Sequence, residues 1–524
     1  MIFRSPRPDV AVPDVALQRF VLREAAQRGD KPALIDGPSG RVLTYAGLAA
    51  GVDRLAAGLA ARGFGKGEVL GLFMPNLPEF ALAFHGTLTA GGVVTTVNSL
   101  ATVQDAEYQL RNARARFLIT VAPFLDRAAP AAVQAEVEEV FVLGAGRGGG
   151  GATPFSALLE SDAPAPNPPF EPARDLAVLP YSSGTTGFPK GVMLTHRNLV
   201  ANLVQTVAGH HVASDDRIIA VLPFFHIYGM QVVMNLALWS GATLVTLPRF
   251  ELEPFLALLQ THRITRAFLV PPLVLALANH PAVDRYDLSS LRAMMSGAAP
   301  LDAALEAACV RRVGCQLIQG YGLTEASPVT HTVPDEPGKG RPGTIGQLLP
   351  NTECRIVDPA TGGDLGPGEA GELLIRGPQV MTGYLNNPEA TAETLDAAGW
   401  LHTGDIGHVD ADGYFTIVDR LKELIKYKGF QVPPAELEAV LRTHPAVSDA
   451  AVIPIPDEEA GEVPKAYVVL KGDVPLEALL AYVAERVAPY KRIRAVEVID
   501  AIPRSPSGKI LRRLLKERER AVRA

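Results

Sequence analysis

The chain is poor in cysteine: it has three, Cys309, Cys315 and Cys354, among 524 residues, with no Cys-x-x-Cys pair. That pattern offers neither a disulfide framework nor a zinc site, and it suits a reducing cytoplasm. Positive charge is not in excess. At a net charge of −7, no global basic field draws the chain to nucleic acid or to an anionic membrane. Long apolar runs are also missing: the best candidate for a membrane span, Met230 to Trp239, is too short and carries Gln231 and Asn235. The opening Met-Ile-Phe-Arg-Ser-Pro-Arg-Pro lacks the apolar core of a signal peptide, and the ending Val-Arg-Ala is no peroxisomal address. No internal repeat is visible. The one basic run, Lys509 to Arg523, is interleaved with Glu517 and Glu519 and reads as a solvated terminal helix. With 48% hydrophobic and 20% charged residues, the length calls for two or more domains of an ordinary globular protein.

Against these absences, one stretch is rich. Residues 181–196 read Tyr-Ser-Ser-Gly-Thr-Thr-Gly-Phe-Pro-Lys-Gly-Val-Met-Leu-Thr-His. Four hydroxyls, three glycines and a lysine fall within eleven residues, Ser182 to Val192. Such a loop can wrap a polyphosphate: backbone N–H groups approach closely beside glycine, hydroxyls donate, and the lysine supplies charge. It is not the common P-loop, because Gly184 and Gly187 are too close and Lys190 sits between a proline and Gly191. The plain alternative is a flexible surface turn. An apolar run, Leu176 to Pro180, precedes it and a helical pattern follows from His196, which predicts strand–loop–helix.

From Leu43 to Gln319 helix and strand patterns alternate, as in a layered α/β architecture. Leu48, Val52, Leu55 and Leu59 have helical spacing with Gly63 as a stop. Strands are predicted at Val69–Met74, Val93–Val97, Ile218–Leu222, Ala242–Leu247, Ala267–Val270, Leu291–Met295 and Gln316–Gln319, and a helix at Pro78–Ala90. Polar or glycine-rich clusters follow strands at Ser182–Lys190, Phe224–Gly229, Gly297–Pro300 and Gly320–Glu325. Ligands of open α/β sheets bind beyond the carboxyl ends of strands, so these four clusters can share one cleft. From Gly343 to Asp419 the helical patterns stop, and Asp412-Gly413 signals a hairpin. After Arg420 a small α+β unit is expected. The predicted division is 1–419, with a β-rich part at 343–419, and a mobile 420–524.

Six stretches carry a resemblance. They are the loop at 181–196, Leu222-Pro-Phe-Phe-His-Ile-Tyr-Gly229, Gly320-Tyr-Gly-Leu-Thr-Glu325, Trp400-Leu-His-Thr-Gly-Asp405, Asp419-Arg-Leu-Lys-Glu-Leu-Ile-Lys-Tyr-Lys-Gly-Phe-Gln431 and Pro503-Arg-Ser-Pro-Ser-Gly-Lys509. In this order they resemble the adenylate-forming enzymes, a family of acyl-CoA synthetases, peptide-synthetase adenylation domains and beetle luciferases. The wording is most similar to the 4-coumarate–CoA ligase branch, bacterial members included, and the likeness covers essentially the whole chain. It implies a large α/β N-terminal domain, a small mobile C-terminal domain, and a reaction in two halves. A carboxylate attacks the α-phosphate of ATP to give acyl-AMP and pyrophosphate; a thiol then displaces AMP.

The resemblance assigns roles residue by residue. Ser182, Ser183, Gly184, Thr185, Thr186 and Lys190 would hold the β- and γ-phosphates. Thr324 would reach the α-phosphate, and Glu325 would hold Mg²⁺ with water, a hard cation that suits few protein oxygens. Taken alone, Thr324-Glu325 would be a helix start. Tyr321 would stack on adenine beside Gly297, Ala298, Gln319 and Gly320, while Asp405 and Arg420 would take the ribose. Lys509 would stabilise the pentacovalent transition state from the small domain, and Lys422 would be the hinge. After rotation, Lys426 and Gln431 would face the acyl-AMP phosphate. Lys428, Gly429 and Arg249 would meet coenzyme A. Lys509, Lys426, Glu325 and Thr186 are the implied catalytic group; no residue is assigned as base for the thiol.

The implied acyl pocket comprises His226, Tyr228, Gln231, Val232, Met295, Ala298, Gly320, Gly322, Pro328 and Thr330, with His226 a substrate contact rather than a base. Plant coumarate ligases usually have lysine at the position of Met295, asparagine at Gln231 and leucine at Thr330. Methionine makes the pocket more apolar and adaptable, so cinnamic, benzoic and medium-chain fatty acids all fit. The expected co-reactants are ATP, Mg²⁺ and coenzyme A, with a monomer or homodimer in the cytoplasm. A free-standing enzyme that loads a carrier protein is the alternative. A non-catalytic nucleotide sensor would have lost at least one charged site residue; Lys190, Glu325, Asp405, Arg420 and Lys509 are all present.

Overall fold

The computed structural model describes residues 1–144, 151–182, 189–209, 211–336, 338–428, 430–457, 459–505 and 508–523. Among them, none forms a helix long and apolar enough to cross a membrane. Two parallel-cored sheets dominate. In one, Gln316–Gly322, Ala293–Ser296, Arg266–Leu269, Arg217–Ala220, Thr243–Thr246 and Pro32–Asp36 run parallel as neighbours, with antiparallel strands at both edges. In the other, Leu176–Ser182, Val93–Thr96, Val69–Phe73, Ala115–Val121 and Glu139–Leu143 run parallel. Such strands are buried on both faces and read as unbroken apolar runs, as in Val69-Leu-Gly-Leu-Phe73, all buried. Helices connect them. Tyr45–Ala61 buries Leu48, Val52, Leu55 and Leu59 at the expected spacing, and Gly63 beyond its end has φ +77°, which favours a residue without Cβ.

A third, antiparallel sheet contains Phe3–Arg4, Glu353–Val357, Gly371–Arg376, Leu401–Val409 and Phe415–Arg420. The Asp412-Gly413 hairpin joins its last two strands. The chain then enters a smaller block: Ile425–Tyr427, Phe430–Val432, Val447–Asp457, Gly461–Leu470 and Ala495–Val498 form a sheet, with helices Pro434–Arg442, Leu476–Ala484 and Arg512–Arg523. This block has its own core. Ile425, Val432, Leu437, Leu441, Val452 and Val468 cluster together, whereas the large core of the preceding residues extends from Leu17 to Phe415.

Three sequence expectations need correction. Lys190–Thr195 is a strand antiparallel to Leu176–Ser182, with Lys190 opposite Ser182, so the phosphate-type loop joins strand to strand. Val192 and Leu194 are fully buried in that strand, and the helix begins only at His196, where Thr195 and Asn198 form a reciprocal capping box. A helix, Pro388–Thr394, does occur between Gly343 and Asp419. Its signal is Asn387-Pro388: the asparagine side chain accepts from the Ala390 N–H at 3.0 Å, and proline suits the first helical position. Finally, the terminal helix is not merely solvated. Arg512 is ion-paired to Glu423 and, at 2.6 Å, to Glu438, and Glu519 is buried against Lys465.

Candidate active site

The strand ends do converge. Glu325 lies in a single tight turn, Thr324–Ala326, just beyond the strand Gln316–Gly322. Its Oε1 accepts from the Ser182 hydroxyl at 2.9 Å and from the Tyr384 hydroxyl at 2.8 Å. The Lys190 ammonium stands 5.0 Å from the centre of the Tyr384 ring, a cation–π distance. One described end of the hydroxyl-rich loop, Ser182, therefore abuts Glu325, and the other, Lys190, lies against the tyrosine that bonds to it. Ser183, Gly184, Thr185 and Thr186 lie outside the described residues.

A second wall comes from the antiparallel sheet. Asp405 and Arg420 are direct partners across two strands, and Arg420 Nε approaches Asp405 Oδ1 at 3.1 Å. The Tyr321 hydroxyl donates to Asp405 Oδ2 at 2.5 Å. Behind Tyr321 stands His331, its ring 5.6 Å away and edge-on, backed by Phe415 at 4.5 Å. Burial pulls the His331 imidazole down to about 3, so it is neutral packing. Gly297 and Ala298 lie beyond the neighbouring strand Ala293–Ser296, and Ala298 holds φ +70°. Gln319, expected to face the nucleotide, instead spends its amide on the Leu301 carbonyl at 3.2 Å and on Glu306 at 2.7 Å. It braces the 297–301 loop from behind.

The third component arrives from the C-terminal block. Lys509 sits where its proton affinity is set by this cluster: burial and Arg420 lower it, while Asp405, Glu325 and Glu423 oppose them. Its neighbour Gly508, at φ +80°, rests on the large body, where a Cβ would lie 3.2 Å from Pro272 and 3.4 Å from Val270. His226 also senses Lys509: burial, then the lysine charge, pull its imidazole down to about 4. The imidazole is therefore neutral at physiological pH, and its Nδ1 accepts from the Tyr228 N–H at 3.3 Å.

Around His226 the structure adds residues that sequence reasoning missed. Asn76 is buried and spans the turn before it. Its Nδ2 donates to the carbonyls of Ala220 and Leu222, and its Oδ1 accepts from the Phe224 N–H, each at 2.8 Å. Thr96 donates to the Phe225 carbonyl at 2.7 Å. The available signal was a polar residue at the end of each of two buried strands: Asn76 in the turn after Val69–Phe73, and Thr96 as the last residue of Val93–Thr96. Tyr384 was missed too; its signal was an aromatic in Gly383-Tyr384 between polar turns.

In the acyl region, Tyr228 lies against Gly297, where a Cβ would be 3.2 Å from the ring, and its buried hydroxyl has no hydrogen-bond partner among the described residues. Met295 covers Gly320 so closely that a Cβ there would fall 2.2 Å from the Met295 methyl. Gly322 is pressed onto the Pro328 carbonyl, 2.1 Å from an added Cβ. Val232 is buried and Thr330 bonds to His331 Nδ1 at 2.9 Å. Gln231 has little free polarity: its Nε2 donates to the Leu199 carbonyl at 2.7 Å and its Oε1 accepts from Asn235 at 2.9 Å. Lys422, Lys426, Lys428 and Arg249 are exposed. Lys428 pairs with Glu459, and Arg249 lies 3.8 Å from Glu251. Gly429 and the Gln431 side chain lie outside the described residues.

A hydroxyl- and lysine-bearing loop, an acidic turn, a Tyr–Asp–Arg triad and an incoming lysine form a cleft suited to a nucleotide and its phosphates. The family model described as AMP-binding enzyme matches residues 21–385, and the AMP-binding enzyme C-terminal domain matches residues 436–509. The chain belongs to the AMP-binding enzyme family. This AMP-binding enzyme is 43% identical to 4-coumarate–CoA ligase 1 of Petroselinum crispum over 99% of its own length and 97% of the relative's. It is 44% identical to 4-coumarate–CoA ligase 3 of Oryza sativa subsp. japonica, over 99% and 95% of the two chains. Among solved structures, an anthranilate CoA ligase in complex with anthranoyl-AMP superposes with a TM-score of 0.90 at 29% identity, covering 98% of both chains. The o-succinylbenzoate CoA synthetase of Bacillus subtilis, bound to its acyl-adenylate, gives 0.82 at 29% identity, over 95% and 97%.

Proposed function

We propose that this enzyme joins an aromatic carboxylic acid of the cinnamate type to the thiol of coenzyme A, using ATP and passing through acyl-AMP. The observation that carries the reading is the docking of Gly508, from the C-terminal block, on Pro272 and Val270, which puts Lys509 within the electrostatic reach of Arg420, Asp405 and Glu325. Attack of a carboxylate on ATP sets anion against anion, so cations must be aimed at the reacting phosphorus. Lys509 and Lys190 would supply them. Asp405 accepts from the ribose hydroxyls, with Tyr321 and Arg420 fixing its rotamer, and the Tyr321 face receives the adenine. The acid choice is supported by relatives named for 4-coumarate and neighbours named for anthranilate and o-succinylbenzoate.

Glu325 fits a magnesium ion carried by the nucleotide. Both hydroxyl donors fall on Oε1, leaving Oε2 for the ion. Among the described residues no cluster of three or more acidic, histidine or cysteine side chains could hold a metal by itself, which suits an ion ligated mostly by phosphate and water. Bound there, it would neutralise phosphate charge. For the second half-reaction we place a pivot at Lys422, with the unit from residue 420 onward turning so that Lys426 and Lys428 replace Lys509. Their exposure here fits the first half. Arg249 and Lys428 would then meet the phosphates of coenzyme A.

The test separates the halves. Lys509→Ala should lower acid-dependent ATP–pyrophosphate exchange by about 10²–10³-fold, while supplied acyl-AMP is still converted to the CoA thioester. Equal loss in both assays would remove Lys509 from the adenylation step. Replacing coenzyme A by a holo-carrier protein in the second assay decides the acceptor.

A further inference from the structure

We propose that Arg504, acting through Asp449, positions Lys509 for adenylation; this rests on the reading of Lys509 as catalytic. A lysine has a flexible four-carbon stem, so the place of its ammonium depends on how firmly its own backbone is held. The loop before Lys509 closes on itself. Gly508 N–H donates to the Ser505 carbonyl, Ser505 N–H to the Lys509 carbonyl, and Leu511 N–H to the Pro503 carbonyl, each at 2.8 Å. Those bonds tie Pro503, Ser505, Gly508, Lys509 and Leu511 to one another but not to the block that carries them.

Arg504 supplies that anchorage. Its Nη1 donates to the Gly508 carbonyl at 2.9 Å, on the peptide unit that leads into Lys509. Its Nη2 donates to Asp449 Oδ1 and Oδ2, both at 2.9 Å. Asp449 belongs to the strand Val447–Asp457, at the edge of the C-terminal sheet, where it pairs with Gly461–Leu470. One planar guanidinium thus ties the peptide before Lys509 to that strand. Both side chains are mostly covered, 24% and 21% exposed, so solvent screens the pair less than a surface one. On the other side Gly508 meets Pro272 and Val270. The loop is clamped between its own strand and the large body, with Lys509 at the point of the clamp.

A purely structural ion pair would affect both half-reactions and stability together. A positioning residue for Lys509 affects only the half in which Lys509 acts. Arg504→Met should lower the maximal rate of acid-dependent ATP–pyrophosphate exchange by about 10–10²-fold with little change in KM for ATP. Conversion of supplied acyl-AMP to thioester should stay within about twofold of wild type. Asp449→Asn should do the same, and the double variant should be no worse than the poorer single one, because both break one clamp. Should Arg504→Met not fold, Asp449→Asn is judged by the same criteria. Lys509→Ala runs alongside. If it fails to separate the halves, the reading of Lys509 falls. If it separates them and the Arg504 and Asp449 variants leave exchange intact, or lose both halves equally, the clamp is overturned.

Discussion

Met295 shows how much one side chain decides. It is 4% exposed, and its methyl occupies the space above Gly320. A lysine there would put an ammonium beside the unpaired Tyr228 region and demand a polar group from the substrate, since an unpaired buried charge is costly. Met295→Lys should raise the ratio of kcat/KM for 4-coumarate over a medium-chain fatty acid by roughly tenfold. A panel of acids assayed for CoA-dependent AMP release measures it; an unchanged ratio would place the acid elsewhere. At this scale the sequence was most informative where chemistry demands a residue type. Asp405 pairs with Arg420, and both, with Glu325, bear on the charge of Lys509. The bracing roles of Asn76 and Gln319 were not readable, because their partners are backbone groups or a glutamate brought together only by the fold; Asn76 and Phe224 are 148 residues apart.

At the scale of elements, two polar residues hold pieces of the site in place. Asn76→Ala strands the Phe224 N–H and two carbonyls, so it should cost about 2–4 kcal/mol in a urea unfolding series and raise KM for the acid. Asp419 directly precedes Arg420, the last residue of the strand Phe415–Arg420. It accepts from Arg420 N–H at 2.7 Å and from Ala435 N–H at 2.8 Å, at the start of helix Pro434–Arg442. Burial pushes its carboxyl up to about 6, with Arg512 opposing and Glu438 reinforcing. The folded state therefore holds this proton more tightly than the unfolded chain. That contribution to stability is complete below pH 3.8 and is lost as pH rises through about 6. Asp419→Asn should thus gain on wild type by up to about 3 kcal/mol over that window, read from unfolding midpoints at successive pH values. The strand Lys190–Thr195 was hidden in the sequence because a capped helix start at Thr195 follows it without a break. Helix Pro388–Thr394 was hidden by its shortness.

For the whole molecule, the pattern change after Arg420 falls just before Ile425, the first residue of a hydrophobic cluster separate from the large one that ends at Phe415. Which face the second core presents to the first was not legible, since it depends on contacts such as Gly508 on Pro272. If Lys422 is the pivot, proline there narrows its φ and stiffens the connection. Lys422→Pro should leave ATP–pyrophosphate exchange within about threefold while slowing thioester formation from supplied acyl-AMP by about tenfold or more. Stopped-flow comparison of the two steps checks this.

Gly508 also bears on how the closed arrangement ends. Its N–H donates to Ser505 and its carbonyl accepts from Arg504, both within its own block. Across the seam, the Val270 carbonyl is already taken by the N–H groups of Leu273 and Val274, and Pro272 has no N–H to offer. Among the described residues, Gly508 meets Pro272 and Val270 by shape alone. Parting these three leaves none of their own donors or acceptors newly unmatched. Such a seam can open and close at every turnover without a polar barrier of its own.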